Sequence, residues 1–120
     1  MSKKTLVLGA SLKADRYSNI AVNRLRQKNH DVVAFGLKQG AINDVVIDTG
    51  LKAYEDLDTI TLYLNPKHQE AYYDYILDLR PKRVIFNPGT ENPELYKILR
   101  ANNIEFEVAC TLVLLATNQY

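Results

Sequence analysis

Stretches of β-branched and aliphatic residues recur along the chain with helix-patterned segments between them, and this alternation limits the fold more than any other feature. The runs are Thr5 to Gly9, Asp31 to Phe35, Thr59 to Leu64 and Arg83 to Asn87, with Glu105 to Ala109 as a fifth. Strands separated by helices pair in parallel, because each crossover returns the chain to the same end of the sheet. None of the runs shows the polar alternation of a strand with one wet face, so both faces are covered. The expectation is an α/β fold of three layers around a mostly parallel sheet of about five strands. With 120 residues, the chain is read as one domain over residues 1–120, too short for separate binding and catalytic domains.

The helices are marked by their starts. Asn65-Pro66 is an N-cap followed by proline at the first helical position, and Tyr72, Tyr75, Ile76 and Leu79 then line one face up to Pro81. Asn92-Pro93 repeats the signal, with Leu95, Ile98 and Leu99 as the apolar stripe and Asn102-Asn103 as the stop. A first helix is expected from Ser18-Asn19 to about Lys28, burying Ala21, Val22 and Leu25. Between Gly36 and Asp58 the pattern weakens to a turn, a minor strand at Asp44 to Asp48 and one helical turn around Leu51 to Leu57. The apolar tail Leu112 to Ala116 packs on the core or on a partner.

Composition excludes several functions. Fifteen Lys and Arg stand against fourteen Asp and Glu, a formal charge of +1, which provides no global field for nucleic acid or an anionic membrane. The apolar run after Met1-Ser2-Lys3-Lys4 is far too short for a signal peptide or a span, so the chain is expected in the cytoplasm. One cysteine, Cys110, and two histidines, His30 and His68, make neither a disulfide framework nor a metal cluster. His30 and His68 lack an evident nucleophile partner, and Cys110 lacks an activating base. No catalytic residue is assigned.

Ligands of open parallel sheets bind beyond the carboxyl ends of the strands. The first loop there, Gly9 to Asn19, leads from a strand into a helix. Gly9 permits close backbone approach, the helix start adds partial positive charge, and Ser11, Lys13, Arg16 and Ser18 supply donors. This is a phosphate cradle in composition, although it has neither the G-x-G-x-x-G spacing nor the G-K-[S/T] of a P-loop. A plain surface loop with a solvated Lys and Arg is the competing reading. After the second run, where an NAD site places an acidic residue on the ribose, the chain reads Phe35-Gly36-Leu37-Lys38-Gln39-Gly40. A lysine there favours a phosphorylated ribose, as in coenzyme A and NADP. The loops at Leu64-Asn65-Pro66 and Asn87-Pro88-Gly89 bring two more helix starts to the same rim.

Taken together, Leu8-Gly9-Ala10-Ser11 with Lys13, Arg16-Tyr17-Ser18-Asn19, Gly36-x-Lys38-x-Gly40, Leu64-Asn65-Pro66 and Asn87 to Asn92 resemble the coenzyme A-binding domain family. That Rossmann-like fold also begins the succinyl-CoA synthetase alpha subunit. The resemblance implies that Ser11, Lys13, Arg16 and Ser18 sit near the CoA phosphates and Lys38 near the phosphorylated ribose. Asn65, Pro66, Asn87 and Gly89 would border the adenine or the pantetheine arm. Cys110 matches the family's near-terminal cysteine, which raises the expectation of a mixed disulfide with the CoA thiol. The chain departs from the family at Asn65, where most relatives carry arginine, and nothing in these 120 residues is expected to supply the phosphorylated histidine of the synthetase's second domain.

The expected function is therefore binding of CoA or an acyl-CoA through phosphate contacts, without covalent catalysis by this chain alone. Two alternatives stand beside it. One is an NADP-dependent oxidoreductase-like domain, which shares the Lys38 argument but lacks a Tyr-x-x-x-Lys pair. The other is an interaction domain without a cofactor. The expected partner is a small nucleotide-type ligand, with room for a protein partner or a homodimer.

Overall fold

The computed structural model describes residues 2–120. Strand β1 (Thr5–Leu8) leads into helix α1 (Tyr17–Gln27) and strand β2 (Val32–Phe35). A short hairpin follows, made of β3 (Gly40–Ile42) and β4 (Val45–Asp48), and then β5 (Thr59–Leu62). Helix α2 (Pro66–Gln69), a 3-10 turn at Glu70–Tyr72 and helix α3 (Tyr73–Leu79) cross to β6 (Arg83–Phe86). Helix α4 (Pro93–Ala101), β7 (Glu105–Val108) and α5 (Thr111–Ala116) complete the chain.

The strands form one sheet in the order β3-β4-β2-β1-β5-β6-β7, parallel throughout except for the antiparallel β3–β4 pair. The α/β reading holds, but the sheet has seven strands rather than about five. The additional pair is the β3–β4 hairpin, closed by Asn43-Asp44 with Asn43 at φ 52°. Its strands of three and four residues are too short to show a period, and only the β2–β4 pairing through Ala34 and Phe35 makes them part of the sheet.

Successive side chains of a strand point to opposite faces, and the core divides accordingly. Leu6 and Leu8 pack with Ile60, Leu62, Val84 and Phe86 under α3 and α4, which contribute Ile76, Leu79, Leu95 and Leu99. Val7 packs on the other face with Ala34 and Ile47 under α1 and α5, which contribute Val22, Leu25 and Leu115. The apolar tail of the sequence is thus α5, folded back onto the chain's own core through Leu115.

One local expectation holds and two are corrected. Helix α1 begins at Tyr17, beside the expected Ser18-Asn19, with Arg16 at its extended N-cap position. The expected single helix from Asn65 to Leu79 is broken by the 3-10 turn. The tightened turn sends the Tyr72 ring edge-on to Phe35, with centroids 5.5 Å apart, and the Tyr73 hydroxyl to Asn92. Residues Leu51 to Leu57 form no helical turn. They run irregularly, tied by Tyr54 to Asp48, by Tyr75 to the Lys52 carbonyl and by the burial of Leu57.

Candidate functional site

Strand β1 lies between β2 and β5, so the chain leaves it in opposite directions on its two sides. Such a reversal opens a crevice at the carboxyl ends of the central strands. A cleft of about 890 Å³ lies there, lined by the loop from Gly9 to Ser18, by Phe35 to Lys38, by Tyr63 to Asn65 with His68 and Tyr72, and by Pro88 to Thr90. A more open hollow of about 590 Å³ beside the β3–β4 hairpin holds no helix start. Asp48 lies there; burial opposes its charge, but the Tyr54 hydroxyl and the Lys52 ammonium at 2.9 Å hold the carboxyl below its ordinary value.

The backbone after β1 is pinned on three sides. The N–H groups of Gly9 and Ala10 both donate to the Phe35 carbonyl, at 2.9 and 2.8 Å, and Tyr63 N–H donates to Leu8 at 2.9 Å. Gly9 has φ 104°, and a Cβ there would lie 3.0 Å from the Leu64 side chain, so glycine is needed for both conformation and space. At Gly36 the reason is space alone: a Cβ would stand 2.4 Å from the Ala10 carbonyl oxygen. The loop is also braced from the helix, where buried Asn19 donates from Nδ2 to the Ser11 carbonyl at 2.9 Å. Within the loop, Lys13 N–H donates to Ser11 Oγ at 3.2 Å.

Helix α1 carries no side-chain cap. The first N–H groups of a helix lack intrahelical partners and concentrate partial positive charge. With the start of α1 at the cleft and Lys13 and Arg16 exposed beside it, the arrangement can receive an anion. Helix α2, by contrast, is capped: Asn65 Oδ1 accepts from His68 N–H at 3.0 Å.

Of the residues singled out in the sequence, Gly9, Ser11, Lys13, Arg16, Tyr17, Ser18, Gly36, Lys38, Asn65 and Gly89 line this cleft. Asn19, Pro66 and Asn87 do not, and the two asparagines are engaged within the fold. Asn87 is buried, donating to Thr61 Oγ1 at 2.7 Å and the Leu62 carbonyl at 2.8 Å and accepting from Thr111 N–H at 2.9 Å. It ties β5, β6 and α5 together. Cys110 is a half-buried free thiol at the N-cap position of α5 and is not part of the cleft lining.

The lining residues that sequence reasoning missed are mainly apolar or aromatic, among them Leu12, Leu37, Tyr63, Leu64, His68 and Tyr72. Nothing in their spacing distinguishes them from core or surface residues. Tyr63 is distinctive: among the described residues its hydroxyl is the buried side-chain polar atom without a hydrogen bond. The neighbouring Thr61 and Thr111 hydroxyls bond each other at 2.8 Å, and Thr61 also accepts from Asn87. Burial pushes the Tyr63 phenol up to about 12, which keeps it protonated.

A mostly parallel sheet, a cleft at its point of reversal and an uncapped helix start beside two cations define a Rossmann-like ligand-binding domain. The chain belongs to the CoA binding domain family, whose sequence model matches residues 3–116. It is similar over its full length to an uncharacterized protein of known crystal structure, with 46% identity, a TM-score of 0.97 and 99% of that chain covered. A protein from Thermus thermophilus shares the fold at 22% identity, with a TM-score of 0.86 and coverage of 99% of this chain and 91% of that one. So does a hypothetical protein from Pyrococcus horikoshii OT3, at 24% identity and a TM-score of 0.83, covering 93% of this chain and 80% of that one. No curated protein matches the chain. Among the described residues no helix is long and apolar enough to cross a membrane, and no three His, Cys, Asp or Glu side chains are grouped as metal ligands.

Proposed function

We propose that this chain binds coenzyme A or an acyl-CoA in the cleft at the carboxyl edge of its sheet, as a binding module that performs no covalent step alone. The observation that carries the reading is the uncapped start of α1, which meets Ser11, Lys13, Arg16 and Ser18 at the cleft. Backbone N–H groups, hydroxyls and two cations form a receptor for a diphosphate. Lys38, on the loop after β2 that lines the same cleft, supplies the charge for a 3′-phosphorylated ribose.

Charge is segregated along the cleft. The flank built by the loops after β1 and β2 holds three cations, Lys13, Arg16 and Lys38, with one carboxylate, Asp15, whereas the flank after β5 and β6 offers Tyr63, Leu64, Asn65, His68, Tyr72 and Pro88 to Thr90. CoA has the same polarity, a triply phosphorylated nucleoside continued by an uncharged amide arm. The phosphates therefore belong on the first flank and the pantetheine arm on the second.

Thermal unfolding in the presence of CoA, acetyl-CoA, NADP or NAD tests the reading, because a ligand that binds the native state raises the midpoint as its concentration exceeds Kd. Upward shifts are expected with CoA and acetyl-CoA. A shift with NADP but none with CoA would transfer the Lys38 argument to the oxidoreductase reading, and a flat screen would leave an interaction domain.

A further inference from the structure

The uncharged flank of the cleft is held together from inside by one amide. Gln69, the last residue of α2, is completely buried. Its Nε2 donates to the carbonyl oxygens of Leu64 and Thr90, both at 2.8 Å, and its Oε1 accepts from Asn92 Nδ2 at 2.9 Å. Asn92 Nδ2 also donates to the Tyr73 hydroxyl at 2.8 Å, while Asn92 Oδ1 accepts from Leu95 N–H at the start of α4. The segment with Thr90 is folded back on itself, its hydroxyl donating to the Asn87 carbonyl at 2.7 Å.

Placing an amide here means desolvating it, a cost that is met only because its hydrogen bonds serve the Leu64 and Thr90 carbonyls and Asn92. What the amide achieves is specific. Leu64 and Thr90 both line the cleft, on loops that follow different strands and share no backbone ladder at that height. The two donated hydrogen bonds fix the spacing between these loops. The bond from Asn92 fixes the orientation of the amide, since only its oxygen can face that donor. Three loop or helix starts are thereby locked into one surface.

We infer that Gln69 is a positioning residue for the uncharged arm of the ligand: it sets the width of the groove between the β5 and β6 loops in which that arm lies. The inference rests on the CoA reading above and adds to it a division of labour. Gln69 acts on the arm and leaves the phosphates to the opposite flank.

The test compares CoA with adenosine 3′-phosphate 5′-diphosphate, which retains all three phosphates of the nucleoside and lacks the arm, by calorimetry on the full chain. Wild-type protein is expected to bind CoA more tightly than this arm-free nucleotide. Gln69→Leu is expected to weaken CoA binding by about tenfold, the scale of a lost buried hydrogen bond, while affinity for the arm-free nucleotide stays within about twofold. A general loosening of the fold would lower both. Equal losses, or an unchanged CoA affinity, would therefore overturn the inference. Tyr73→Phe removes only the outermost bond of the network and guards against a Gln69→Leu protein that does not fold. It is expected to lower the ratio of CoA affinity to that of the arm-free nucleotide by about threefold, and an unchanged ratio counts against the inference. If wild-type protein binds both ligands equally, the arm has no groove and this inference fails with the CoA reading intact. If it binds neither, the CoA reading itself fails and takes this inference with it.

Discussion

At the scale of single residues, Lys13, Arg16 and Lys38 are exposed side chains that hold no ion pair with another described residue, so their charge is available to a ligand. Replacing any one of them by alanine is expected to weaken CoA binding by about 1–3 kcal/mol, the range for a hydrogen bond to a charged group. Calorimetry of the three variants checks this, and unchanged affinity in all three would remove the phosphate site. Stability should be little affected, because none of them is tied into the fold by its charge.

His30 gives the converse case, a titratable group that serves the fold. It is buried, its Nδ1 accepts from the Lys3 backbone N–H at 2.9 Å, and the Tyr120 ring lies with its centroid 5.0 Å away. Burial above all, then the Lys3 charge, pushes its pKa below the ordinary 6.5. In the interval between the folded value and 6.5 the unfolded chain binds more protons than the native one, so stability rises with pH. The His30 contribution is complete above about 6.5 and is lost as pH falls through the lowered folded value. Urea unfolding between pH 7 and pH 5 should show this decline, and His30→Gln, which keeps an acceptor but cannot titrate, should flatten it. An equal decline in the variant would place the effect elsewhere.

At the scale of elements, the cleft depends on how closely the loops after β1 and β2 approach each other. Gly36 is the contact point, and Gly36→Ala puts a methyl group where only 2.4 Å separates it from a backbone oxygen. Backbone must move, so the variant should lose about 1–3 kcal/mol in chemical denaturation. It should lose CoA affinity as well, because the displaced segment leads into Ser11 and Lys13. A variant of unchanged stability and affinity would show that the two loops are not rigidly coupled.

The elements also show what could be read in advance. Helices α2 and α4 were legible from Asn65-Pro66 and Asn92-Pro93, since the cap and the proline act within four residues of each other, and both asparagines do accept from the first-turn N–H groups. The break after Gln69 was not legible, because it answers to Phe35 and Asn92, which are distant in sequence. Of the β3–β4 hairpin only β4 was legible, as the minor strand at Asp44 to Asp48; β3 and the place of the hairpin beside β2 were missed for a similar reason, being tertiary pairings without a local period.

At the scale of the whole molecule, the sheet shares its hydrophobic material between two faces, with Val7 on one and Leu6 and Leu8 on the other. Neither face is covered without both helical layers, which favours a single cooperative unfolding transition. Ligand binding should move that transition as a unit. At a CoA concentration of 100 times Kd the native state gains about 2.7 kcal/mol, enough to raise the melting midpoint of a chain this size by several degrees. Two separated transitions, only one of them shifted by CoA, would contradict this picture.

The sequence by itself determined the alternation of strands and helices, the parallel sheet covered on both faces, and the clustering of glycine, hydroxyls and cations after β1 and β2. These properties are written in residues that are close along the chain, through periodicity, caps and backbone freedom. Only the tertiary structure decided that the sheet has seven strands and that Asn87 ties β5, β6 and α5 together within the fold. It also decided that Gln69, unremarkable in a helical stretch, joins two loops of the cleft. The reason is physical: burial and hydrogen-bond partnership depend on which distant segments meet, and a polar side chain has the same appearance in a sequence whether it faces a ligand, water or another loop.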